Sequence, residues 1–319
     1  MENSNNHKQL MSFHGDHGRY VGLRIMNNIL KMFTLGFYYP WARASELQYL
    51  YGETEYMGSR FVFHGTGKEI FRGYIKALVL FVLIIGIFIA SIASGNSIIM
   101  FLGIAFYVVS ILAIIPIAIH GANRYRLSRT SWRGIHFGYR GKLGQLYKLI
   151  LLNGLLTILT GGLYGPWFQV ELKKYIYKHR RFGNVEFAFT GRGLDLFLLR
   201  LKGIFLILIT LGIYSFWFLR DLARFEANNL KVLQNGRQIN VRTTLTGGQI
   251  FGTIIINYFI VVLSFGLATG VAINRTMQVI FNSIEFDDAI DANSLQQTEE
   301  EYKDAMGDDM AGFLDISIA

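Results

Sequence analysis

The sequence of 319 residues contains no cysteine and only three prolines. The absence of cysteine excludes thiol catalysis, cysteine-ligated zinc, iron–sulfur clusters and a disulfide-stapled fold. Charged residues are scarce as well, at 17% of the chain, whereas an average soluble domain has about 25%. Hydrophobic residues make up 52%, and the mean hydropathy is +0.33. This balance excludes disorder, argues against an ordinary soluble enzyme and indicates a membrane protein.

The chain also lacks the short motifs that carry common enzyme chemistry. It has no HExxH zinc motif, no P-loop and no G-x-S-x-G nucleophile elbow. The group His14, Asp16 and His17 has metal-binding side chains, but it lies in a polar N-terminal stretch next to a predicted strand. We therefore expect no catalytic residues, no cofactor and no metal site.

The charge is distributed unevenly along the chain. The formal net charge is +9, although residues 285–319 hold eleven acidic residues and one basic residue. The basic excess therefore lies in residues 1–284, beside long apolar runs. Anionic lipid head groups are the nearest partners for cations placed in this way, so we expect contact with a lipid bilayer and not with nucleic acid. The sequence divides into a membrane domain, 1–284, and an acidic, flexible tail, 285–319.

Two apolar runs are long enough to cross a bilayer. Ala77–Ser94 is uncharged over 18 residues, or about 27 Å of helix. Ile98–Ile119 is also uncharged and follows after three small or polar residues, which predicts a membrane-spanning hairpin. Four other apolar stretches are shorter or interrupted by polar residues: Leu23–Trp41, Leu149–Phe168, Ile204–Leu219 and Phe251–Ile273.

A degenerate repeat runs through the membrane domain. Gly15, Gly65, Gly141 and Gly191 each follow a short strand-like run, and Gly247 starts a fifth, weaker copy. Counted from this glycine, copies one, three and four share Thr at +19, Gly at +21, Tyr at +23 and Trp at +26, with Pro at +25 in two of them. The residues of this motif are Thr34, Gly36, Tyr38, Pro40, Trp41, Thr160, Gly162, Tyr164, Pro166, Trp167, Thr210, Gly212, Tyr214 and Trp217.

The first three copies end in alternating aromatic residues, which is typical of a half-buried strand. The predicted unit is therefore strand, apolar helix, T-x-G-x-Y-x-P-W, amphipathic helix, turn and strand. The predicted fold class is an α-helical integral membrane protein, built from these repeats, with short cytoplasmic β-hairpins. The predicted repeats are about 13–65, 63–141, 137–191, 187–247 and 245–284.

The basic loops leave two topologies open. Six simple crossings would place the basic loop 169–197 outside, against the positive-inside rule. Alternatively, copies one, three, four and five enter and leave on the cytoplasmic side with T-x-G at the tip, and only copy two spans.

Two roles are open for the conspicuous polar and aromatic residues of the membrane domain. The Tyr-Pro-Trp sites suit interfacial anchoring and helix starts, or a substrate gate. Polar residues inside the apolar segments suit hydrogen bonds between helices or a polar pathway. The candidates of this second kind are Asn28, Asn153, Lys202 and Asn257.

The repeated pattern F-x-F-x-G, E/D-x-F and TLG-x-Y-x-P-W resembles the YjgN-like family of bacterial inner-membrane proteins, a family of unknown function. The resemblance covers roughly residues 10–285 and departs at Phe216, at Gly161 and in the fifth copy. It implies a multi-pass protein of the bacterial inner membrane and carries over no catalytic or ligand residues. The matching residues are Thr34, Leu35, Gly36, Tyr38, Pro40, Trp41, Phe63, Gly65, Glu69 and Phe71.

Two functions remain open at this point. Repeats with intramembrane polar residues favour a transport or channel-like role. Basic loops beside apolar helices favour a non-catalytic scaffold or a lipid-interacting protein.

Overall fold

The computed structural model describes residues 8–298, and in this part of the chain the order strand, helix, helix, strand occurs five times. We call these five segments units 1 to 5. Their elements are β1 (Met11–Phe13), α1 (His17–Phe33), α2 (Tyr39–Glu53), β2 (Thr54–Tyr56), β3 (Ser59–Phe63), α3 (Gly67–Ala93), α4 (Ser97–Ser128), β4 (Thr130–Trp132), β5 (Ile135–Tyr139), α5 (Leu143–Leu159), α6 (Gly165–Lys178), β6 (Arg180–Phe182), β7 (Val185–Phe189), α7 (Gly193–Ile209), α8 (Ser215–Asn229), β8 (Leu230–Gln234), β9 (Arg237–Thr243), α9 (Gly247–Leu263), α10 (Thr269–Phe281) and β10 (Ile284–Phe286).

All ten strands form one antiparallel sheet in sequential order, from β1 to β10. The two strands of each unit pair with each other, and tight turns join one unit to the next. Three of these turns place a residue and the following glycine at positive φ, as in Met57–Gly58, Arg133–Gly134 and Asn235–Gly236, which is the geometry of two-residue hairpin turns. Lys8 bridges Phe286, with N–H to O distances of 2.7 and 3.0 Å. This bridge joins the end of the last strand to the segment before the first and nearly closes the sheet.

The predicted fold class, an α-helical protein with separate short β-hairpins, is therefore wrong. The hairpins are not independent, because they combine into a single sheet. Alternating aromatics indicate β3, β5 and β7 in the sequence, but the pairing that joins the hairpins is long-range. Met11 pairs with Tyr56, and the intervening residues form α1 and α2. No local pattern specifies such a pairing.

The helices also form a closed ring. Each helix packs against the one before and the one after it, and α10 packs against α1. Side-chain caps begin several of them: Thr66 and Glu69 form a capping box at α3, and Thr246 and Gln249 form another at α9. Among the described residues, only α3 and α4, of 27 and 32 residues, are long and apolar enough to cross a bilayer. The other eight helices have 13 to 17 residues.

Large apolar side chains fill the inside of the sheet. Trp132 is 1% exposed, and its Nε1 donates hydrogen bonds to the backbone oxygens of Tyr56 and Ser59 at 3.2 and 3.0 Å. Burial raises the pKa of Tyr56, so its hydroxyl stays neutral in this environment. The buried members of this core are Tyr56, Trp132, Phe182, Val185, Val232, Ile239, Val241, Phe286 and Ile290.

The first part of the predicted acidic tail belongs to this core. Residues 285–286 complete β10, and residues 287–298 continue over the inside of the sheet. Asp291 exchanges two hydrogen bonds with the Gln234 side chain, at 2.8 and 2.9 Å. Two nearby acidic residues form ion pairs with residues of β9: Glu285 with Arg242, and Asp288 with Arg237. The rest of the predicted tail, 299–319, lies outside the described residues.

Candidate functional site

The turns between the paired short helices share one hydrogen-bonded geometry, which the repeated threonine creates. The Thr34 hydroxyl donates to the backbone oxygen of Leu30 at 2.7 Å and accepts from the backbone N–H of Tyr38 at 3.0 Å. Thr160 and Thr210 accept from Tyr164 and Tyr214 in the same way, at 3.0 and 2.9 Å. One side chain thus satisfies the end of one helix and the start of the next. We call these turns the hairpin tips.

The glycine of the motif is required by the backbone of the tip. Gly36, Gly162 and Gly212 have φ of 90°, 92° and 93°, a left-handed conformation that glycine adopts without strain. Their N–H groups each reach back to a helix carbonyl five residues earlier, at 2.7 to 2.8 Å. The tip therefore turns the chain without an unsatisfied amide at these positions.

The fifth unit has the same tip, but the tip lies two residues nearer to Gly247 than the repeat counted from that glycine predicts. Ser264 accepts from the N–H of Ala268 at 2.9 Å, and Gly266 has a φ of 84°. These two residues fall at +19 and +21 only when the count starts at Leu245, two residues before Gly247. Buried Leu245 occupies the place of the glycine in the other units.

The motif tryptophans pack against the first turn of the following unit. A Cβ added to Gly67, Gly193 or Gly247 would lie 2.4, 2.3 or 2.6 Å from an atom of Trp41, Trp167 or Trp217. The motif tyrosine stacks on the same tryptophan, with ring centroids 6.0 Å apart for Tyr38 and Trp41, 5.9 Å for Tyr164 and Trp167, and 6.4 Å for Tyr214 and Trp217. Pro40 and Pro166 are buried in the first turns of α2 and α6. The motif tryptophans thus join neighbouring units.

The asparagines of the apolar segments connect the two helices of their own units. Counted from Leu245, Asn257 lies at +12, the same position as Asn153 and as Asn27. Asn27 is 4% exposed and donates to Ser45 Oγ at 3.0 Å, whereas the predicted candidate Asn28 is exposed. Asn257 donates to Thr276 Oγ1 at 2.9 Å, and Asn153 accepts from the Tyr164 hydroxyl at 3.1 Å. The fourth candidate, Lys202, lies exposed in a groove between α7 and α8.

Apolar side chains cover the outside of the helix ring. The residue before the tip glycine is almost fully exposed where it is large: Leu35 is 90%, Leu211 94% and Phe265 96% exposed. In α3 and α4, only 17% and 6% of the most apolar stretch of 18 residues is buried. A helix of a soluble core would be buried on its apolar face, so these exposed surfaces are suited to lipid. We call this surface the apolar belt.

The second helices of the units form an inner layer near the sheet. Lys173 of α6 forms an ion pair with Glu226 of α8, although α7 separates them along the chain. Asn274 of α10 donates to the Tyr49 hydroxyl of α2 at 3.1 Å. These second helices therefore touch across the unit boundaries, with the first helices outside them.

An apolar cavity of about 460 Å³ lies between this inner layer and the sheet. Leu219, Ala223 and Ala227 line it from one face of α8, since their spacing of four residues repeats once per helical turn. Val279 and Ile280 line it from α10, and Val241 from β9 closes it towards the core of the sheet. Pockets of this size and apolar lining accept small apolar ligands. No sequence pattern predicts this cavity, because its walls come from α6, α8, α9, α10 and three strands.

No cluster of three or more metal-binding side chains occurs among residues 8–298. His14 lies 3.3 Å from Glu55 and 2.9 Å from the Ser12 hydroxyl. These are contacts at the edge of the sheet.

Comparison with known proteins places the chain among bacterial membrane proteins. The model of a family described as "Bacterial protein of unknown function (DUF898)" matches residues 8–207. Inner membrane protein YjgN of Salmonella typhimurium is 27% identical over 179 residues, which are 51% of this chain and 43% of that protein. The Escherichia coli K12 protein of the same name is 41% identical over 59 residues, 18% of this chain and 15% of its own length. The chain thus aligns with less than half the length of these relatives. No solved structure matches.

Proposed function

The chain belongs to the DUF898 family of bacterial proteins, as its YjgN-like motifs indicated, and from its fold we propose that it is a lipid-binding protein of the inner membrane. It is built from five degenerate repeats arranged as a ring. The apolar belt embeds the ring in the bilayer, and the apolar cavity holds an acyl chain or another apolar molecule. The observation that carries this function is the cavity itself, which is lined by the sheet and by helices, and α9 among these helices also carries part of the belt.

The proposed insertion follows from the lengths of the helices. A helix of 17 residues is about 26 Å long, shorter than the hydrocarbon core of about 30 Å, and each short hairpin returns to the sheet. Units 1, 3, 4 and 5 therefore enter one side of the bilayer and leave from the same side. The satisfied amides of the hairpin tips favour this arrangement, because an unpaired amide in hydrocarbon is costly. Only α3 and α4 cross the bilayer, as in the second of the two membrane topologies that the sequence left open.

The basic residues favour a cytoplasmic sheet. Lys and Arg side chains lie in the connections at the sheet end, including Arg133, Arg140 and Lys142, whereas the loop around Asn96 has no charge. Loops rich in Lys and Arg stay in the cytoplasm.

Single-cysteine variants test this topology, since the chain has no cysteine of its own. We expect Asn96→Cys to react with a membrane-impermeant thiol reagent in intact spheroplasts. Gln238→Cys, exposed on β9, should react only in inverted vesicles. Leu211→Cys, at a hairpin tip, should react in neither until detergent is added. Reaction of Gln238→Cys from the outside would overturn the proposed topology.

The cavity predicts binding of a fatty acid. We expect native mass spectrometry of the delipidated protein in detergent to detect one bound palmitate. Ala223→Trp fills the cavity and should weaken this adduct about tenfold, which corresponds to 1.4 kcal/mol. Val262→Trp, on the exposed face of α9, is the matched control and should bind as the wild type does. Equal binding by both variants would remove the cavity as the site.

The arrangement of the polar residues favours lipid binding over transport. Asn27 and Asn257 each donate to a hydroxyl and a backbone oxygen of the partner helix, and Asn153 is bound to its own helix and to Tyr164. These groups hold the hairpins together, as interhelical hydrogen bonds do in membranes. On the side of the sheet, the ring of helices adjoins the packed apolar core inside the sheet. No catalytic group is part of this proposal.

A further inference from the structure

The groove between α7 and α8 carries an excess of positive charge. It has a volume of about 550 Å³, and Lys202, Arg220 and Arg224 line it together with one acidic residue, Asp221. Arg220 pairs with Asp221 at 2.7 Å, and the Tyr214 hydroxyl donates to the same carboxylate at 3.2 Å. Within residues 8–298, Lys202 and Arg224 have neither a hydrogen-bond nor an ion-pair partner. Two cations in this groove are therefore uncompensated.

These cations lie at the depth of the apolar belt. Lys202 is seven residues from Ile209, the last residue of α7, or about 10 Å of helix from the tip. Arg224 is nine residues past Ser215, the first residue of α8, or about 14 Å of helix from the tip. Exposed apolar side chains surround the groove on α7, with Leu198 52%, Leu201 55% and Phe205 62% exposed. An uncompensated cation at such a depth is costly in a bilayer unless an anion meets it.

Units 1, 3 and 5 show that two of these charges, those of Lys202 and Arg220, are particular to unit 4. The position of Lys202, +11 in its unit, holds Met26, Leu152 and Ile256 in units 1, 3 and 5. The position of Arg220, +29, is likewise uncharged in those units, where Ala44, Val170 and Asn274 are all buried. The repeat geometry thus does not need a cation at either position.

A glycine and a phenylalanine accompany these basic residues in unit 4. Gly203 stands at +12 in place of the asparagine, and a Cβ added to it would lie 2.2 Å from the Phe218 ring. The asparagine-mediated link between the two helices is therefore absent here. A groove lined by the three basic residues takes its place.

We propose that this groove binds the phosphate of an anionic phospholipid, with its acyl chains along the apolar face of α7. The proposal rests on the membrane insertion proposed above. Lys202 and Arg224 meet the phosphate, and Arg220 contributes while it remains paired with Asp221. Guanidinium and ammonium groups are the usual phosphate ligands in proteins, and exposed Leu198 and Phe205 cover the chains.

Lipid-adduct measurements on the purified full-length protein test this site. Dioleoyl phosphatidylglycerol, dioleoyl phosphatidylcholine and inorganic phosphate are the three probes, titrated separately in detergent and read out by native mass spectrometry. We expect one phosphatidylglycerol to bind tightly. Lys202→Met with Arg224→Gln should weaken its binding about tenfold to thirtyfold, since each basic residue near an anionic lipid contributes about a factor of five. Phosphatidylcholine binding should not change.

Lys148→Met is the matched control, because Lys148 is an exposed lysine of α5 outside the groove. It should leave phosphatidylglycerol binding unchanged, and all variants should keep the wild-type melting temperature. Loss of phosphatidylglycerol by the control alone, no loss in the double variant, or displacement of the lipid by millimolar inorganic phosphate would each overturn the proposal. Failure of the membrane insertion itself would appear separately, as labelling of Leu211→Cys without detergent.

Discussion

Trp132→Ala is expected to destabilise the protein by about 3–5 kcal/mol, the usual loss for a buried aromatic side chain. Trp132 is 1% exposed and packs against the rings of Tyr56 and Phe182, with centroids 5.4 and 5.9 Å away. Its removal leaves a cavity in the core that all five units share. It also removes the donor that satisfies the backbone oxygens of Tyr56 and Ser59 at a hairpin turn. The measurement is chemical unfolding in detergent, followed by circular dichroism.

Trp132→Phe separates the two contributions of this side chain. The phenylalanine keeps most of the apolar volume but cannot donate a hydrogen bond, so we expect a loss of about 1–3 kcal/mol. The free energy of unfolding of Trp132→Ala should therefore be clearly lower than that of Trp132→Phe. A Trp132→Ala protein with wild-type stability would show that the inside of the sheet is not the main core of the described fold.

Trp167→Ala is expected to weaken the contact between units 3 and 4 by about 3–5 kcal/mol. Trp167 packs on Gly193 and lies 5.2 Å, ring to ring, from Phe197. Gly193→Ala should also destabilise, by about 1–3 kcal/mol, because its Cβ would overlap the indole at 2.3 Å. The stability of both variants is measured by the same chemical unfolding in detergent. Limited proteolysis then locates the weakened contact.

The double variant makes this prediction specific to the contact. In the Trp167→Ala background the methyl group of Gly193→Ala no longer overlaps the indole, but the backbone Cα of residue 167 still lies 2.8 Å away, so its cost should fall without vanishing. Additive losses would mean that the two residues act independently. Gly154→Ala serves as the control, since nothing lies within 4 Å of a Cβ at Gly154. It should be neutral or slightly stabilising in the middle of α5.

The sequence predicted the local conformation well where one residue type fixes the backbone. The threonine and glycine at +19 and +21 mark real turns, because a hydroxyl acceptor and a left-handed glycine are chemical requirements of that turn. The same reasoning misplaced the fifth copy by two residues. Its most visible glycine, Gly247, is the one that meets Trp217, whereas the place equivalent to Gly191 is taken by Leu245. Aligning the copies on glycine alone confused two different glycine positions.

The same displacement affected the candidate polar residues. Counted from Gly247, Asn257 lies at +10 and does not match Asn153 at +12. The corrected count puts Asn27, Asn153 and Asn257 at one position. Asn27 and Asn257 make the same pair of contacts with the second helix of their units, to a hydroxyl and to a backbone oxygen. The sequence does not predict that Asn28 is the exposed one of the two neighbours. Adjacent residues on a helix point about 100° apart, and no sequence pattern distinguishes Asn27 from Asn28.

By itself the sequence determined the unit: two helices, the tip between them, and a strand at each end, since all of these follow from interactions within a few residues. It also determined which unit is long enough to cross a bilayer, because length and hydrophobicity are local properties. Only the tertiary structure decided that five units close into one sheet and one ring, that residues 287–298 belong to the core, and that a cavity and a basic groove lie between helices. Those features depend on contacts between residues distant along the chain, which are selected by the packing of the whole molecule.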